Sequence, residues 1–194
     1  KENKINFIEN VEITEINTND KKLKTCVGYD IKFDKLLIAT GGRPIIPQLK
    51  IDSAVKDNVF TFVNLMDLNK LKEKLPAVKT AIVAGAGFIG LEVADALRRN
   101  NIQVKVIELA DRPLIRAADE YASEIVVRQF KSAGIEIITG NSIVEINRNE
   151  NYGSTANLAA VLKSGRTVDA DIAIFAIGVK LDLKIIENSG IKAN

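Results

Sequence analysis

Histidine is absent from this 194-residue chain. The commonest general base and metal ligand is therefore missing. Cysteine is nearly absent too. Cys26 stands alone and has no partner for an internal disulfide, so a reducing, cytoplasmic setting is expected. Without histidine and with one thiol, nothing supports a zinc site, and no metal is expected. No apolar run approaches the roughly 20 residues of a membrane span, and no signal-peptide pattern opens the chain. Charge is balanced at a net +2 with the lysines scattered, so neither nucleic acid nor a membrane is expected as a partner. What remains is ordinary globular composition, 46% hydrophobic and 27% charged, long enough for one full domain or one and a half small ones. The chain starts at Lys1 inside a strand-like pattern, which suggests a segment of a longer protein.

The most informative stretch runs from Lys79 to Glu108. Ala81–Ala84 is a short apolar run that reads as a buried parallel strand. Gly85-Ala86-Gly87-Phe88-Ile89-Gly90 follows at once. Helical periodicity then takes over, with Ile89, Val93, Ala96 and Leu97 on one face. Gln103–Ile107 is a second strand, closed by Glu108. Strand, glycine turn, helix, strand and acid in this order form a dinucleotide-binding fingerprint. Gly85 permits the tight turn, Gly87 lets a pyrophosphate approach the backbone, and Gly90 lets helix and strand pack closely. The free N–H groups at Phe88, Ile89 and Gly90 would face the phosphates. Glu108, eighteen positions past Gly90, would accept hydrogen bonds from the adenosine ribose. Its charge would repel a 2′-phosphate, favouring NAD over NADP. Arg112 and Arg116 pull the other way, as cations suited to a 2′-phosphate, and Glu108 outweighs them.

Around this unit the residues from 4 to 39 read as short strands: Ile5–Ile8, Val11–Ile16, Leu23–Val27, Tyr29–Phe33 and the more apolar Lys35–Ala39. Pro44 and Pro47 break regular structure, and a domain crossing is expected near residues 43–50. Val59–Val63 is a short apolar run. Asp67 is the expected N-cap, rather than a catalytic acid, of a helix carrying Leu68, Leu71 and Leu75 and stopped by Pro76. Leu109–Arg116 reads as a loop. Asp119 opens a further helix with Ala122, Ile125, Val126, Phe130 and Ala133 inward, ending at Gly134. A third strand is expected at Ile135–Thr139. Ile143–Arg148 and Asn157–Lys163 form a hairpin, with turns at Asn149–Ser154 and Ser164-Gly165. Ala170–Ile177 reads as one buried strand ending at Gly178.

Two stretches carry a family resemblance. Leu36-Leu37-Ile38-Ala39-Thr40-Gly41-Gly42-Arg43-Pro44 resembles the ATG segment of the FAD-dependent pyridine nucleotide-disulfide oxidoreductases. Ala84–Ala94, including Glu92, resembles their NAD(P)H-binding segment, and the order of elements up to Ile177-Gly178 is also similar. The resemblance implies an α/β fold: a Rossmann-like parallel sheet with helices and an antiparallel meander, plus part of a second, β-rich domain. It implies that residues 1–47 are the back half of an FAD domain, 48–179 an NAD(P)-binding domain, and 180–194 the start of a return. It further implies hydride transfer from NAD(P)H to FAD and on to a disulfide, oxygen or protein acceptor. By the same likeness Gly85, Gly87, Phe88, Ile89 and Gly90 would hold the pyrophosphate, Glu108 the ribose, and Gly178 the nicotinamide end. Glu92 would lie near the nicotinamide, and Thr40 and Gly41 near FAD. The FAD-binding glycine motif, the second FAD segment and the interface domain of the family lie outside this sequence, and Cys26 does not match its redox cysteine. The Leu181 region lacks the family's usual Pro-Asn. The parent protein would be a homodimer, and this chain alone would be inactive. A short-chain dehydrogenase is excluded, because Tyr29, Tyr121 and Tyr152 are followed four residues on by Phe33, Ile125 and Ala156 rather than lysine. A non-catalytic NAD-responsive module on the same fold stays open at this point.

Overall fold

The computed structural model describes residues 5–150 and 154–192. The chain divides into two units. One holds the described residues up to Arg43 and those from Lys180 onward, and the other is Pro44–Val179.

In the first unit β1 (Ile13–Asn17), β2 (Lys22–Thr25) and β3 (Asp30–Lys32) form an antiparallel meander. Ile16 and Thr25 are its buried positions. β4 (Gly42–Pro44) and β14 (Val179–Leu181) carry the chain out of this unit and back. Two expected strands do not form: Ile5–Ile8 and Lys35–Ala39 have no ladder, and Phe7 and Leu37 are 81% and 90% exposed. Apolar alternation gives a strand only where a neighbour offers backbone groups to pair with, and the described residues offer none at these two segments.

The second unit has three layers. Its centre is a parallel sheet in the order β6-β13-β7-β8-β9, built from Val59–Thr61, Ile172–Phe175, Thr80–Ala84, Gln103–Ile107 and Glu136–Ile138 respectively. One face packs against α1 (Leu65–Lys74), α2 (Phe88–Arg99) and α3 (Glu120–Ser132) through Ala81, Val83, Val104, Val106, Ile172 and Ile174. The other face, with Ile82, Ala84, Ile107, Ala173 and Phe175, packs on a four-stranded sheet. That sheet has the order β12-β11-β10-β5, from Thr167–Ala170, Leu158–Leu162, Ile143–Arg148 and Lys50–Ile51. Burial on both faces explains why β7 and β13 are apolar at successive positions instead of alternating.

Three local expectations are corrected. First, Asn64, not Asp67, caps α1, its side chain accepting the Asp67 N–H at 2.9 Å. Asp67 instead reaches back past the cap to accept from the Val63 N–H and the Thr61 hydroxyl, both at 3.0 Å. Second, Ile125 of α3 is 38% exposed while Ser123 is buried. The inward face runs through Ser123, Val126 and Phe130, and the Ser123 hydroxyl donates to the Pro113 carbonyl at 2.8 Å. Third, Ala170–Ile177 is not one strand. The chain leaves the outer sheet after Ala170 and enters the parallel sheet at Ile172. Asp171, 5% exposed, makes the switch. Its Oδ2 accepts the Lys79 N–H (2.7 Å), the Thr80 N–H (2.8 Å) and the Thr80 hydroxyl (3.0 Å). Its own N–H donates to the Thr80 carbonyl at 3.0 Å. A buried carboxylate is tolerable only with such partners. The expected turn at Asn149–Ser154 lies partly outside the described residues.

Asp171→Ala would strand those donors at the start of β7. The expected loss of stability is about 3 kcal/mol, read from the urea midpoint. An unchanged midpoint would contradict this role.

Candidate functional site

At the carboxyl ends of β7, β8, β13 and β6 the chain places Gly85, Glu108, Gly178 and Phe62 along one edge of the parallel sheet. In open parallel sheets this is the edge where ligands bind. Gly85 has φ +105°, and a Cβ there would stand 2.7 Å from the Ala176 carbonyl oxygen. At Gly90 a Cβ would overlap the Gly85 carbonyl oxygen. Both glycines are demanded by the protein itself. Gly87 is different. Its φ is −78°, open to any residue, and nothing lies within 4 Å of where its Cβ would be. Neither backbone strain nor packing requires glycine there. An open space directly over the turn is what a diphosphate needs.

Gly87 is also the N-cap of α2, with no side-chain hydrogen bond to the cap. Hydrogen bonding within the helix begins with the Leu91 N–H, which donates to the Gly87 carbonyl at 3.0 Å. The amides of Phe88, Ile89 and Gly90 therefore precede the first intrahelical bond, at the positive end of the helix dipole. Phe88 and Ile89 point largely to solvent, 66% and 51% exposed. Ile89 joins Phe62, Val63, Leu65 and Leu68 around an open apolar groove of about 400 Å³. Glu92, one turn further on, is exposed.

Glu108 is half-buried beside the turn. Its Oε2 accepts the Ala86 N–H at 2.5 Å and its Oε1 the Ala110 N–H at 2.8 Å. The Ala86 carbonyl accepts the Leu114 N–H at 3.0 Å. Ala86 is thus held on both its polar groups, which no motif in the sequence signals. No sequence signal announced Leu114, a residue with φ +55° where Gly or Asn is usual. Arg112 lies 3.7 Å from Asp111, and its Nε is buried without a partner among the described residues. Arg116 is exposed. Gly178 has φ +116°, and its carbonyl accepts the Ile45 N–H at 3.0 Å.

Thr40 and Gly41 belong to the other unit. The Thr40 hydroxyl donates to the Asp182 carbonyl at 3.2 Å. Arg43 Nη2 lies 2.6 Å from Asp182 Oδ2, and the hydrogen bond from Arg43 holds that carboxyl below the usual range. Gly41 has open space where a Cβ would stand. Among the described residues there is no group of three or more His, Cys, Asp or Glu that could hold a metal. Nor is any helix there long and apolar enough to cross a membrane.

Known proteins resemble this chain in sequence and in fold. The epsilon subunit of the NADH-dependent phenylglyoxylate dehydrogenase from Aromatoleum evansii is 26% identical over 190 residues, 98% of this chain and 44% of that protein. The NADH oxidase of Methanocaldococcus jannaschii is 29% identical over 200 residues, 99% of this chain and 42% of that protein. Among solved structures, the ferredoxin reductase for the CYP199A2 system of Rhodopseudomonas palustris matches with a TM-score of 0.83 at 26% identity. It covers 95% of this chain and 44% of that one. The chain spans less than half the length of these relatives. The pyridine nucleotide-disulphide oxidoreductase family model matches residues 1–194, so the chain belongs to that family.

Proposed function

We propose that this chain is the dinucleotide-binding part of an NADH-dependent flavin oxidoreductase, which passes a hydride from NADH to FAD and on to a further acceptor. The observation that carries the reading is Gly87: a glycine with no internal need for one, above an open space at the start of α2. In this reading the backbone at Gly85, Gly87, Phe88, Ile89 and Gly90 holds the diphosphate. Glu108 accepts the adenosine ribose hydroxyls, and Gly178 leaves room for the nicotinamide end, with Glu92 nearby. Thr40 and Gly41 border FAD, and the space beside Gly41 is compatible with close approach of a flavin. The bound cofactors supply the chemistry, hydride donation by the nicotinamide and acceptance by the flavin. This chain's residues bind and orient. Similarity to a phenylglyoxylate dehydrogenase subunit and an NADH oxidase supports an enzyme over a non-catalytic sensor. Those relatives and the ferredoxin reductase differ in what their names say they act on. We therefore assign the choice of acceptor to parts of the parent protein outside this chain. The homodimer is carried over from the family likeness, and the single free, exposed Cys26 fits a reducing cytoplasm.

Titration of the chain with NADH and NADPH tests the reading. Saturable NADH binding is expected, with NADPH at least about tenfold weaker because its 2′-phosphate meets Glu108. Tighter binding of NADPH, or binding of neither, would contradict it. The glycines separate ligand from packing. Gly87→Ala is expected to cost about 1 kcal/mol of stability or less while NADH affinity falls at least about tenfold. Gly90→Ala is expected to cost about 3 kcal/mol or more. A Gly87→Ala chain that binds NADH like the wild type removes the main support.

A further inference from the structure

The Gly85–Gly87 turn has unusual latitude and unusual restraint. Two glycines flank one alanine, so the backbone alone would sample many shapes. Yet its polar groups are tied on the β8 side by the protein's own hydrogen bonds. The Gly85 N–H donates to the Ile107 carbonyl at 2.8 Å. The Ala86 N–H donates to Glu108 Oε2 at 2.5 Å, and the Ala86 carbonyl accepts from the Leu114 N–H at 3.0 Å. The Glu108 backbone is itself fixed, its N–H donating to the Ile138 carbonyl (2.8 Å) and its carbonyl accepting the Asn141 N–H (3.0 Å). Its second oxygen is held by the Ala110 N–H at 2.8 Å. The loop that supplies Leu114 is anchored in turn by the buried Ser123 hydroxyl on the Pro113 carbonyl at 2.8 Å.

We propose that Glu108 is a positioning residue for the diphosphate turn as well as the acceptor for the sugar, holding Gly85–Gly87 in binding shape before a dinucleotide arrives. This rests on the dinucleotide reading above and deepens it. A carboxylate accepts about four hydrogen bonds. Two amides leave about two for the two hydroxyls of the adenosine ribose, so both roles coexist without competition. A turn ordered beforehand loses no conformational freedom on binding, and affinity rises accordingly. Removing the acid then weakens every diphosphate ligand, including one with no sugar hydroxyl to bond.

The test compares ADP with 2′,3′-dideoxyadenosine diphosphate by calorimetry on the wild-type chain and on Glu108→Gln. The glutamine keeps the volume, but its single carbonyl oxygen serves only one of the two amides. Wild type is expected to bind ADP more tightly than the dideoxy ligand. In Glu108→Gln the dideoxy ligand is expected to weaken on the order of tenfold, and ADP by more. If the dideoxy affinity is unchanged while ADP weakens, Glu108 acts through the sugar alone and the proposal is overturned. If wild type binds neither ligand, the dinucleotide reading itself falls and this inference with it. Should Glu108→Gln fail to fold, Glu108→Asp keeps the charge and draws the carboxylate back by one methylene from the Ala86 amide. The dideoxy ligand is then expected to weaken by roughly threefold or more, and an unchanged dideoxy affinity would overturn the proposal.

Discussion

The close approach of α2 to the end of β7 is the constraint on which the site depends. Gly90 leaves no atom between the helix and the Gly85 carbonyl, and Gly85 leaves none against Ala176. With a larger residue at either position the helix would start further from the sheet. The amides of Phe88, Ile89 and Gly90 would then open onto a different space. Those contacts in turn need β7 to be fixed in depth and register. That is achieved by β13 and β8 on either side, by apolar packing on both faces, and by Asp171 gripping its first residues.

The resulting division of labour follows the sheet's polarity. The end where β7 and β13 begin is sealed by a buried carboxylate with several donors, and it serves stability. The opposite end carries glycines with positive φ, free helix amides and a half-buried acid, and it is left open. A buried charge with three donors on one oxygen and an open cradle with unused donors are opposite solutions to the same desolvation problem. The chain uses one at each end of the same strands.

Much of this was legible in the residues. The strand–glycine turn–helix–strand–acid order fixed the central unit because each residue type there has one physical job. The caps at Asp119 and the hairpin Ile143–Arg148 with Leu158–Leu162 followed from local chemistry. What escaped was set by neighbours distant in sequence. Ala170–Ile177 reads as one apolar run, and only the donors of Lys79 and Thr80, some ninety residues away, explain why it breaks at Asp171. The exposed Leu37 region looked like a strand because its pattern is right, but pattern alone provides no ladder. At the site, the acid at 108 was visible, but its grip on Ala86 and Ala110 was not. Leu114 hid behind a residue type that rarely takes a left-handed backbone.

The central claim, that a diphosphate sits on the amides opening α2 beside Glu108, is most directly tested by mapping backbone amide shifts during titration with ADP-ribose. Saturable shifts are expected in Gly85–Leu91 and Glu108–Ala110, with the outer sheet of β10, β11 and β12 unmoved. Saturation with no movement at Phe88, Ile89 or Gly90, or shifts centred on that outer sheet, would contradict it.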